Sequence, residues 1–208
     1  MNNPKVLVAI PYHPVKNYCL GITFEAANGL TYKNKEVILR FDPSEYGSEN
    51  AVKKQREFFR HLLLDKGFDY LYFMGCDTIP PEGVIEALLA HEKDIVGGVY
   101  WGRHNAVNGN CDSAVAWIHE LSQEAQSKVF NTPDQLLSID GMGMDCVLIS
   151  RKVLEQISWT NWEQNDDDYP FYDKAKELGF KTFIDTNIQC KHYFTKDGYS
   201  FRGAIVGN

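Results

Sequence analysis

The stretch DYLYFMGCDTIPPEG, residues 69–83, is a run of apolar and aromatic residues that ends at Asp77 and then meets two prolines. A short apolar run bounded by turn residues predicts a buried strand. In an open α/β sheet, ligands bind beyond the carboxyl ends of parallel strands. Asp77 therefore marks a candidate ligand site. A second interpretation stays open: Asp77 or Thr78 caps a helix that follows Pro80.

Similar units flank this stretch in the first half of the chain. The apolar segments KVLVAI, EVILRF and DIVGGVYWG predict strands at 5–10, 36–41 and 94–102. Helical spacing predicts helices at about 18–29 and 50–66, and another at PEGVIEALLAHE, where proline lies near the first turn. Alternating strands and helices predict an α/β fold whose mostly parallel central sheet is flanked by helices.

The second half is less regular. Residues 103–136 are polar, with a strand near AVAWI, and are expected to form substrate-facing loops. GMGMDCVLISRKVLEQI predicts a glycine-rich turn, a short strand and a helix that begins near Ser150. DDDYPFYDKAKELGF predicts a helix with Gly179 at its C-terminal end, followed by the strand KTFID and the stretch IQCKHYF.

Composition limits the classes of function. The 208 residues are 44% hydrophobic and 24% charged, as in one soluble globular domain. The net charge of −7 argues against a nucleic-acid partner. No apolar run approaches the roughly 20 residues of a membrane span, and the N-terminus lacks signal-peptide features. We therefore expect a cytoplasmic protein whose five scattered cysteines are free thiols.

A family resemblance joins these segments. The order VAIP, DYLYFMGCDTIPP, DIVGGVY, GMGMDCVLISRKVLE, DDDYPFYDKAKELGF and CKHYF resembles the nucleotide-sugar-dependent glycosyltransferases of the GT-A fold over residues 5–195. Small viral and phage members look most similar, including the glycosyltransferase domains of large algal viruses, which would place the chain in a host cytoplasm. The resemblance implies one GT-A domain over 1–208, with a nucleotide-binding half at 1–103 and an acceptor and sugar half at 104–208.

The resemblance also implies a reaction and a metal. It implies transfer of a hexose or deoxyhexose from a nucleoside-diphosphate sugar, with UDP-sugar as first choice, to a hydroxyl of a glycan or glycoprotein. In this class an acidic DxD motif ends a strand and binds Mn²⁺ or Mg²⁺. Here the motif reads Gly75, Cys76, Asp77, so its first acid is missing. Asp77 and His192 are the implied metal ligands, and carboxylate with imidazole suits Mn²⁺.

The donor contacts fall on two groups of residues. Those near the first two strands would meet the base, ribose and diphosphate: Ile10, Pro11, Tyr12, Asp42 and Lys54. Those near the motif and the glycine-rich segments would meet the sugar: Cys76, Gly98, Gly143 and Asp145. Other roles stay open, because Asp42 can start a turn, Lys53, Lys54 and Arg56 can form a solvated helix face, and glycines serve tight turns. Of Trp101, Trp117, Trp159 and Trp162, at most one is expected to stack on sugar.

The acids before the last helix are the candidate catalytic residues. In inverting members of the class, the second of two acids is the general base, which implies Asp168, with Asp167 as its neighbour. Helix capping is the alternative role for the run 166–168. Two rival functions remain. A sugar-nucleotide pyrophosphorylase would normally carry a glycine-rich basic loop where this chain has PYHPVKNYC, and a non-catalytic sugar or nucleotide-sugar binding module would fit the missing acid.

Overall fold

The computed structural model describes residues 3–41, 51–102, 113–160 and 168–206. In these ranges the strands are β1 (Val6–Tyr12), β2 (Lys35–Phe41), β3 (Tyr70–Met74), β4 (Thr78–Ile79), β5 (Ile95–Val99), β6 (Ala116–Trp117), β7 (Leu136–Ile139), β8 (Gly141–Met142), β9 (Cys146–Ser150), β10 (Thr182–Gln189), β11 (Lys191–Tyr193), β12 (Tyr199–Phe201) and β13 (Ala204–Val206). The helices are a 3₁₀ helix (Pro14–Cys19), α1 (Leu20–Gly29), α2 (Ala51–Lys66), α3 (Val84–Ala90), α4 (Gln123–Asn131), α5 (Arg151–Leu154) and α6 (Tyr169–Glu177).

A seven-stranded sheet in the order β2-β1-β3-β9-β5-β10-β7 forms the centre of the fold. Strands β2, β1, β3, β5 and β10 run in one direction, whereas β9 and β7 run antiparallel to their neighbours. The predicted α/β class, with a mostly parallel sheet flanked by helices, is therefore confirmed. The apolar runs of β1, β3, β5 and β9 are buried along nearly their whole length, as expected of strands covered on both faces.

Alternate residues of the central strands pack into two apolar layers. On one face, Leu7 and Phe73 pack with Phe59 of α2. On the other face, Val8 and Tyr72 pack with Leu88 of α3. This alternation follows from the twofold period of a strand, and it buries the described central strands on both faces of the sheet.

A small second sheet, in the order β13-β12-β11-β4, extends from the carboxyl edge of the main sheet. Two predicted boundaries differ from the structure in this region. β3 ends at Met74 rather than at Asp77, because Thr78 and Ile79 pair with β11. The following helix begins at Val84, with Gly83 at its N-cap, so neither Asp77 nor Thr78 caps it.

Several other expectations are met and one is wrong. The helices near Ser150 and before Gly179 form as predicted, and Gly179 has the positive φ of 83° typical of a helix C-terminus. The segment predicted as loops contains α4, which its polar composition did not indicate. Cys19, Cys76, Cys146 and Cys190 are buried free thiols, and Cys111 lies outside the described residues. No helix in the described ranges is long and apolar enough to cross a membrane.

Candidate functional site

A cavity of about 180 Å³ opens at the carboxyl ends of β1 and β3. Three of its wall residues, Pro11, Tyr12 and Cys76, belong to the predicted donor site. Lys16 and Arg56 add two cationic side chains to the wall, and Asp145, also predicted, adds a carboxylate. The volume is below the ~300–1,000 Å³ typical of small-molecule sites, so the cavity has room for only part of such a ligand.

Asp77 lies behind this wall and is only 1% exposed. Its Oδ2 atom is 2.8 Å from Nζ of Lys16 and 3.5 Å from Nε2 of His192. Burial alone would raise the pKa of the Asp77 carboxyl, but hydrogen bonding with His192 and the charge of Lys16 outweigh it and lower the pKa to about 2. Asp77 is thus an ionised carboxylate at the strand ends.

The small sheet brings His192 to this carboxylate. His192 is opposite Thr78 in the β4–β11 pair, and the Tyr193 N–H donates to the Asp77 carbonyl at 2.7 Å. Pairing of these two short strands therefore fixes the distance between residues that are far apart in the sequence. The predicted pair of Asp77 and His192 is brought together.

The orientation of the His192 ring is fixed by a second hydrogen bond. Nδ1 lies 2.8 Å from the carbonyl oxygen of Trp101. A carbonyl only accepts, so Nδ1 carries a proton, and Nε2 is the nitrogen that faces Asp77, to which it donates when the ring is protonated. Burial would lower the pKa of His192, but its hydrogen bond and charge interaction with Asp77 raise the pKa above its ordinary value.

Lys16 reaches Asp77 from the 3₁₀ helix that follows β1. The ring of His13 accepts from the Val15 N–H at 3.2 Å and starts this helix. At its end, the Cys19 thiol donates to the Cys76 carbonyl at 2.9 Å, and the Thr23 hydroxyl donates to the same oxygen. Burial would lower the pKa of Lys16, but Asp77 and Asp145 raise it well above its ordinary value. Sequence reasoning missed Lys16, although its place in the loop after β1 was a usable signal.

A second ion pair joins α6 to the cavity. Nη1 of Arg56 lies 2.7 Å from Oδ1 of Asp168, and the Arg56 side chain is 8% exposed. Asp168 occupies the N-cap position of α6, yet its side chain makes no capping hydrogen bond there. The capping role considered for Asp168 is therefore not observed. Asp166 and Asp167 lie outside the described residues.

The five other predicted donor contacts are Ile10, Asp42, Lys54, Gly98 and Gly143, and none of those that the structure describes lines the cavity. Ile10 is buried in the core, and Lys54 is exposed on α2. A side chain at Gly98 would meet Ile188 and Cys146, so this glycine allows strands to pack closely and faces the protein's own core. Asp42 lies outside the described residues.

Gly143 also has a packing role, because a side chain there would overlap Tyr100. Trp101 and Trp159 are core residues, with 0% and 1% exposure. Trp117 stacks on Tyr169 with ring centroids 4.2 Å apart and is half-buried. Trp162 lies outside the described residues, so Trp117 is the described tryptophan that fits a sugar platform.

An aromatic surface lies at the ends of β1 and β2. The Tyr12 and Phe41 rings are 6.1 Å apart, and Phe41 is 52% exposed. Tyr12 also lines the cavity. An exposed aromatic ring beside a polar cavity is a surface on which a flat heterocycle can stack.

The described side chains offer two candidate ligands for a metal ion, Asp77 and His192. In the described ranges, no group of three or more His, Cys, Asp or Glu side chains is gathered closely enough to hold a metal ion. Mg²⁺-type sites in nucleotide enzymes commonly use one or two protein ligands plus phosphate oxygens and water. Asp77 and Nε2 of His192 fit that pattern, and the Lys16 ammonium shows that Asp77 already binds a cation.

Comparisons with solved structures support the fold. The crystal structure of A197 from STIV is similar with a TM-score of 0.69 and 18% identity, covering 98% of this chain and 94% of that chain. A mannosyltransferase, PcManGT from Pyrobaculum calidifontis in complex with GDP-Man and Mn²⁺, has a TM-score of 0.47 and 13% identity, covering 89% of this chain and 58% of that chain. No protein-family model and no curated protein sequence matches the chain. At these identities the likeness concerns the fold alone, and the similarity to A197 supports the α/β fold with its mostly parallel sheet over nearly the whole length of both chains.

Proposed function

We propose that this chain is a metal-dependent glycosyltransferase that moves a hexose or deoxyhexose from a nucleoside-diphosphate sugar to a hydroxyl of a glycan or glycoprotein. One observation carries the proposal. At the carboxyl edge of the sheet, the Asp77 carboxylate and a correctly oriented His192 nitrogen lie beside a cavity walled by Lys16 and Arg56. A cation site next to fixed positive charges suits a leaving diphosphate.

Asp77 and His192 would hold Mn²⁺ or Mg²⁺. The bound metal would neutralise charge that develops on the leaving diphosphate. The Trp101 carbonyl supports this role, because its contact with Nδ1 holds the ring in place and leaves Nε2 as the nitrogen that would bind the metal after losing its proton. Lys16 would then face both Asp77 and the diphosphate in the cavity.

The nucleoside would lie at the ends of β1 and β2. The exposed ring of Phe41 and the cavity residue Tyr12 offer a stacking surface for the base, and Pro11 lines the same cavity as Tyr12. Our first choice is UDP, with Asp42, which follows Phe41 directly in the sequence, as a partner for the base. In this proposal residues 1–103 would form the nucleotide-binding half and residues 104–208 the acceptor and sugar half of one domain.

Asp168 would be the general base that takes the proton of the acceptor hydroxyl, with Asp167 as the neighbouring alternative. Asp168 is ion-paired with Arg56, whose side chain also lines the cavity, so the carboxylate adjoins the donor side of the site. An ionised carboxylate near the reacting carbon is what inverting transfer requires.

Ligand-dependent stability tests the proposal on the full chain. We expect UDP to raise the melting temperature with Mn²⁺ present and to have little effect with EDTA, because a ligand at 100 times its Kd stabilises the fold by about 2.7 kcal/mol. UMP, GDP and inorganic pyrophosphate are the comparison ligands, and their effect on the melting temperature is measured under the same conditions as that of UDP. Absence of a shift with any nucleoside diphosphate in Mn²⁺ would reject a nucleotide-sugar enzyme.

A second measurement separates transfer from binding alone. Release of UDP from UDP-sugars in the presence of simple glycan acceptors is expected from a transferase. Binding with neither transfer nor hydrolysis would indicate the non-catalytic binding module. Formation of a UDP-sugar from UTP and a sugar phosphate would indicate a pyrophosphorylase.

A further inference from the structure

Strand β2 forms one edge of the seven-stranded sheet, with β1 on its inner side. Within the described ranges, no strand pairs with its outer side. The Val6 N–H donates to the Asn34 carbonyl at 3.0 Å, so the even-numbered residues of β2 direct their backbone groups towards β1. Because these directions alternate along a strand, the outward N–H and C=O groups belong to Lys35, Val37, Leu39 and Phe41.

This edge also carries exposed apolar side chains. Val37 and Phe41 on β2 are 39% and 52% exposed, and Phe58 of α2 is 41% exposed. The guanidinium of Arg40 lies over the Phe58 ring at 4.5 Å, so α2 continues the surface formed by β2. The strand contains no proline, and its register with β1 is unbroken over seven residues. An edge strand without proline or bulge is open to pairing with another strand.

The sequence KEVILRF of β2 is complementary to itself when two copies run antiparallel. A two-fold axis at Ile38 places Glu36 of each copy opposite Arg40 of the other. The same register places Val37 opposite Leu39. Both of these residues direct their backbone groups outwards, so the pair can exchange two hydrogen bonds, as an antiparallel ladder requires. Opposite charges that face each other across two strands add to the stability of the pairing.

Neighbouring registers lose this complementarity. Outward-directed residues must meet each other, so the axis can move only to Val37 or to Leu39. With the axis at Val37, Glu36 would face Ile38, and with the axis at Leu39, Arg40 would face Ile38. Each of these registers places a charge opposite an apolar residue and leaves part of β2 unpaired. The register centred on Ile38 is the one that pairs all seven residues.

We propose that this chain forms a two-fold symmetric dimer in which β2 pairs antiparallel with β2 of a second copy, joining the two seven-stranded sheets into one. A surface that is complementary to itself is what such a symmetric interface requires. Phe41 of one copy would face Lys35 of the other, so the two Phe41 residues would be about 20 Å apart along the ladder. The two cavities would therefore lie towards opposite ends of the shared ladder. This inference is independent of the proposed function.

Charge reversal in the full chain tests the dimer and its register. Sedimentation equilibrium of the wild type should show a monomer–dimer equilibrium. Glu36→Arg and Arg40→Glu each place like charges opposite each other twice in a dimer, so each should raise the dimer Kd by about tenfold or more. An equimolar mixture of the two variants should form a heterodimer, because opposite charges then meet in both pairs. Glu120→Arg changes an exposed acid outside β2 and is the control, with the dimer Kd of the wild type.

A cysteine on the two-fold axis gives a second test. Ile38→Cys would place two cysteines opposite each other in a non-hydrogen-bonded pair, where side chains across two strands are closest. Oxidised glutathione should therefore link two chains by one disulfide and release two molecules of reduced glutathione. Val37→Cys is the matched control, because its cysteine would face Leu39 of the other copy and should link much less. Non-reducing gel electrophoresis gives the linked fraction, and the wild type measures linkage through the native cysteines.

Four outcomes would overturn the proposal. The first is a wild-type chain that stays monomeric at the highest concentration at which it is soluble. The second is a dimer whose Kd is unchanged in both charge variants. The third is a mixture of the two folded charge variants that associates no better than either variant alone. The fourth is equal linkage of Ile38→Cys and Val37→Cys. None of these outcomes bears on the transferase proposal, which is tested with nucleotides and sugars.

Discussion

The ammonium of Lys16 lies 2.8 Å from Oδ2 of Asp77, the same oxygen that faces Nε2 of His192 at 3.5 Å. A buried carboxylate needs a compensating charge, and in this structure the chain supplies one from its own 3₁₀ helix. A metal ion that binds Asp77 must share this oxygen with Lys16 or displace the ammonium. We therefore expect Lys16 to weaken the binding of a metal ion to Asp77 as long as no diphosphate is bound.

Lys16→Met should tighten Mn²⁺ binding in the absence of nucleotide. The variant removes the competing charge while keeping much of the side-chain volume, and we expect a Kd lower by about tenfold, equal to about 1.4 kcal/mol. The measurement is a Mn²⁺ titration followed by electron paramagnetic resonance. Lys66→Met, at the exposed end of α2, is the matched control. A Kd in Lys16→Met equal to that of the wild type would contradict competition at Asp77.

Asp77→Asn should destabilise the metal-free chain. The amide leaves the Lys16 ammonium without its carboxylate, and because the Lys16 side chain is 28% exposed we expect a loss of about 2 kcal/mol in the free energy of unfolding, below the range for fully buried pairs. Urea unfolding in EDTA measures the change. Lys16→Met/Asp77→Asn should be more stable than the sum of the single variants predicts, which is the signature of a direct pair. Strict additivity would argue against the pair.

The main strands were predictable because each is an apolar run closed by a turn. EVILRF lies within β2, KVLVAI covers the first part of β1, which continues to Tyr12, and DIVGGVYWG contains β5. Burial on both sheet faces selects such apolar runs in β1 and β5, so composition carries the information locally, whereas β2 is a partly exposed edge strand. α4 was missed because only one of its residues, Phe130, is buried, and its polar remainder does not differ from a loop.

The site was only partly predictable, since its geometry depends on contacts between distant segments. The strand end and CKHYF indicated Asp77 and His192, but only the β4–β11 pairing brings them together. No local pattern shows that Asp145 fills the space beside Gly75, because this follows from the register of β3 against β9. Lys16 and the pairing of Arg56 with Asp168 depend likewise on tertiary packing. The roles assigned to all these residues stay predictions.

Phe41→Ala should weaken binding of UDP and leave binding of inorganic pyrophosphate unchanged. Stacking of one base on an aromatic ring contributes about 1–3 kcal/mol, so we expect the Kd of UDP to rise by about tenfold in Mn²⁺. Isothermal titration calorimetry with both ligands gives the comparison. Phe24→Ala, an exposed phenylalanine on α1, is the control. An equal loss for both ligands would place Phe41 in a structural role.

Asp140 should contribute a pH-dependent part of the stability. Its carboxylate accepts from the His119 N–H at 2.8 Å and lies 3.1 Å from Nζ of Lys176. The His119 hydrogen bond, opposed by partial burial and assisted by Lys176, lowers the pKa of Asp140 below its ordinary value of 3.8. A carboxyl with a lowered folded-state pKa stabilises the fold above its unfolded pKa, and this contribution is lost as the pH falls below that value.

Asp140→Asn is therefore expected to lower the free energy of unfolding by about 1 kcal/mol at pH 7. The stability of the variant should approach that of the wild type as the pH falls below about 3.9, the ordinary pKa of aspartate. The free energy of unfolding in urea, measured at pH 7, 5 and 3, checks this. A difference that stays constant over this range would show that the carboxylate charge has no part in the effect.

Asp168→Asn should abolish transfer while nucleotide and metal binding stay nearly unchanged. Asparagine keeps the shape of the side chain but cannot take a proton, so we expect turnover to fall by about 10² to 10⁴. Because Arg56 lines the cavity and keeps a polar partner in the amide, the Kd of UDP in Mn²⁺ should change by about threefold at most. Rates of UDP-sugar turnover with acceptor and calorimetric UDP binding give the two readouts.

Variants of two nearby acids, Asp173 and Asp167, test whether the loss of transfer is specific to Asp168. Asp173→Asn, exposed on the same helix α6, should transfer sugar normally. Asp167→Asn should lose less activity than Asp168→Asn, and the reverse order would move the general base one residue towards the N-terminus. If both amides transfer normally, the base lies elsewhere. Because Asp145 lines the same cavity and its charge acts, like that of Asp168, on the buried Tyr100, it would then be the next acid to test. Asp145→Asn would then have to slow turnover of UDP-sugar with acceptor while the Kd of UDP in Mn²⁺ stays near that of the wild type, since a general base acts on the acceptor hydroxyl and contributes little to donor binding.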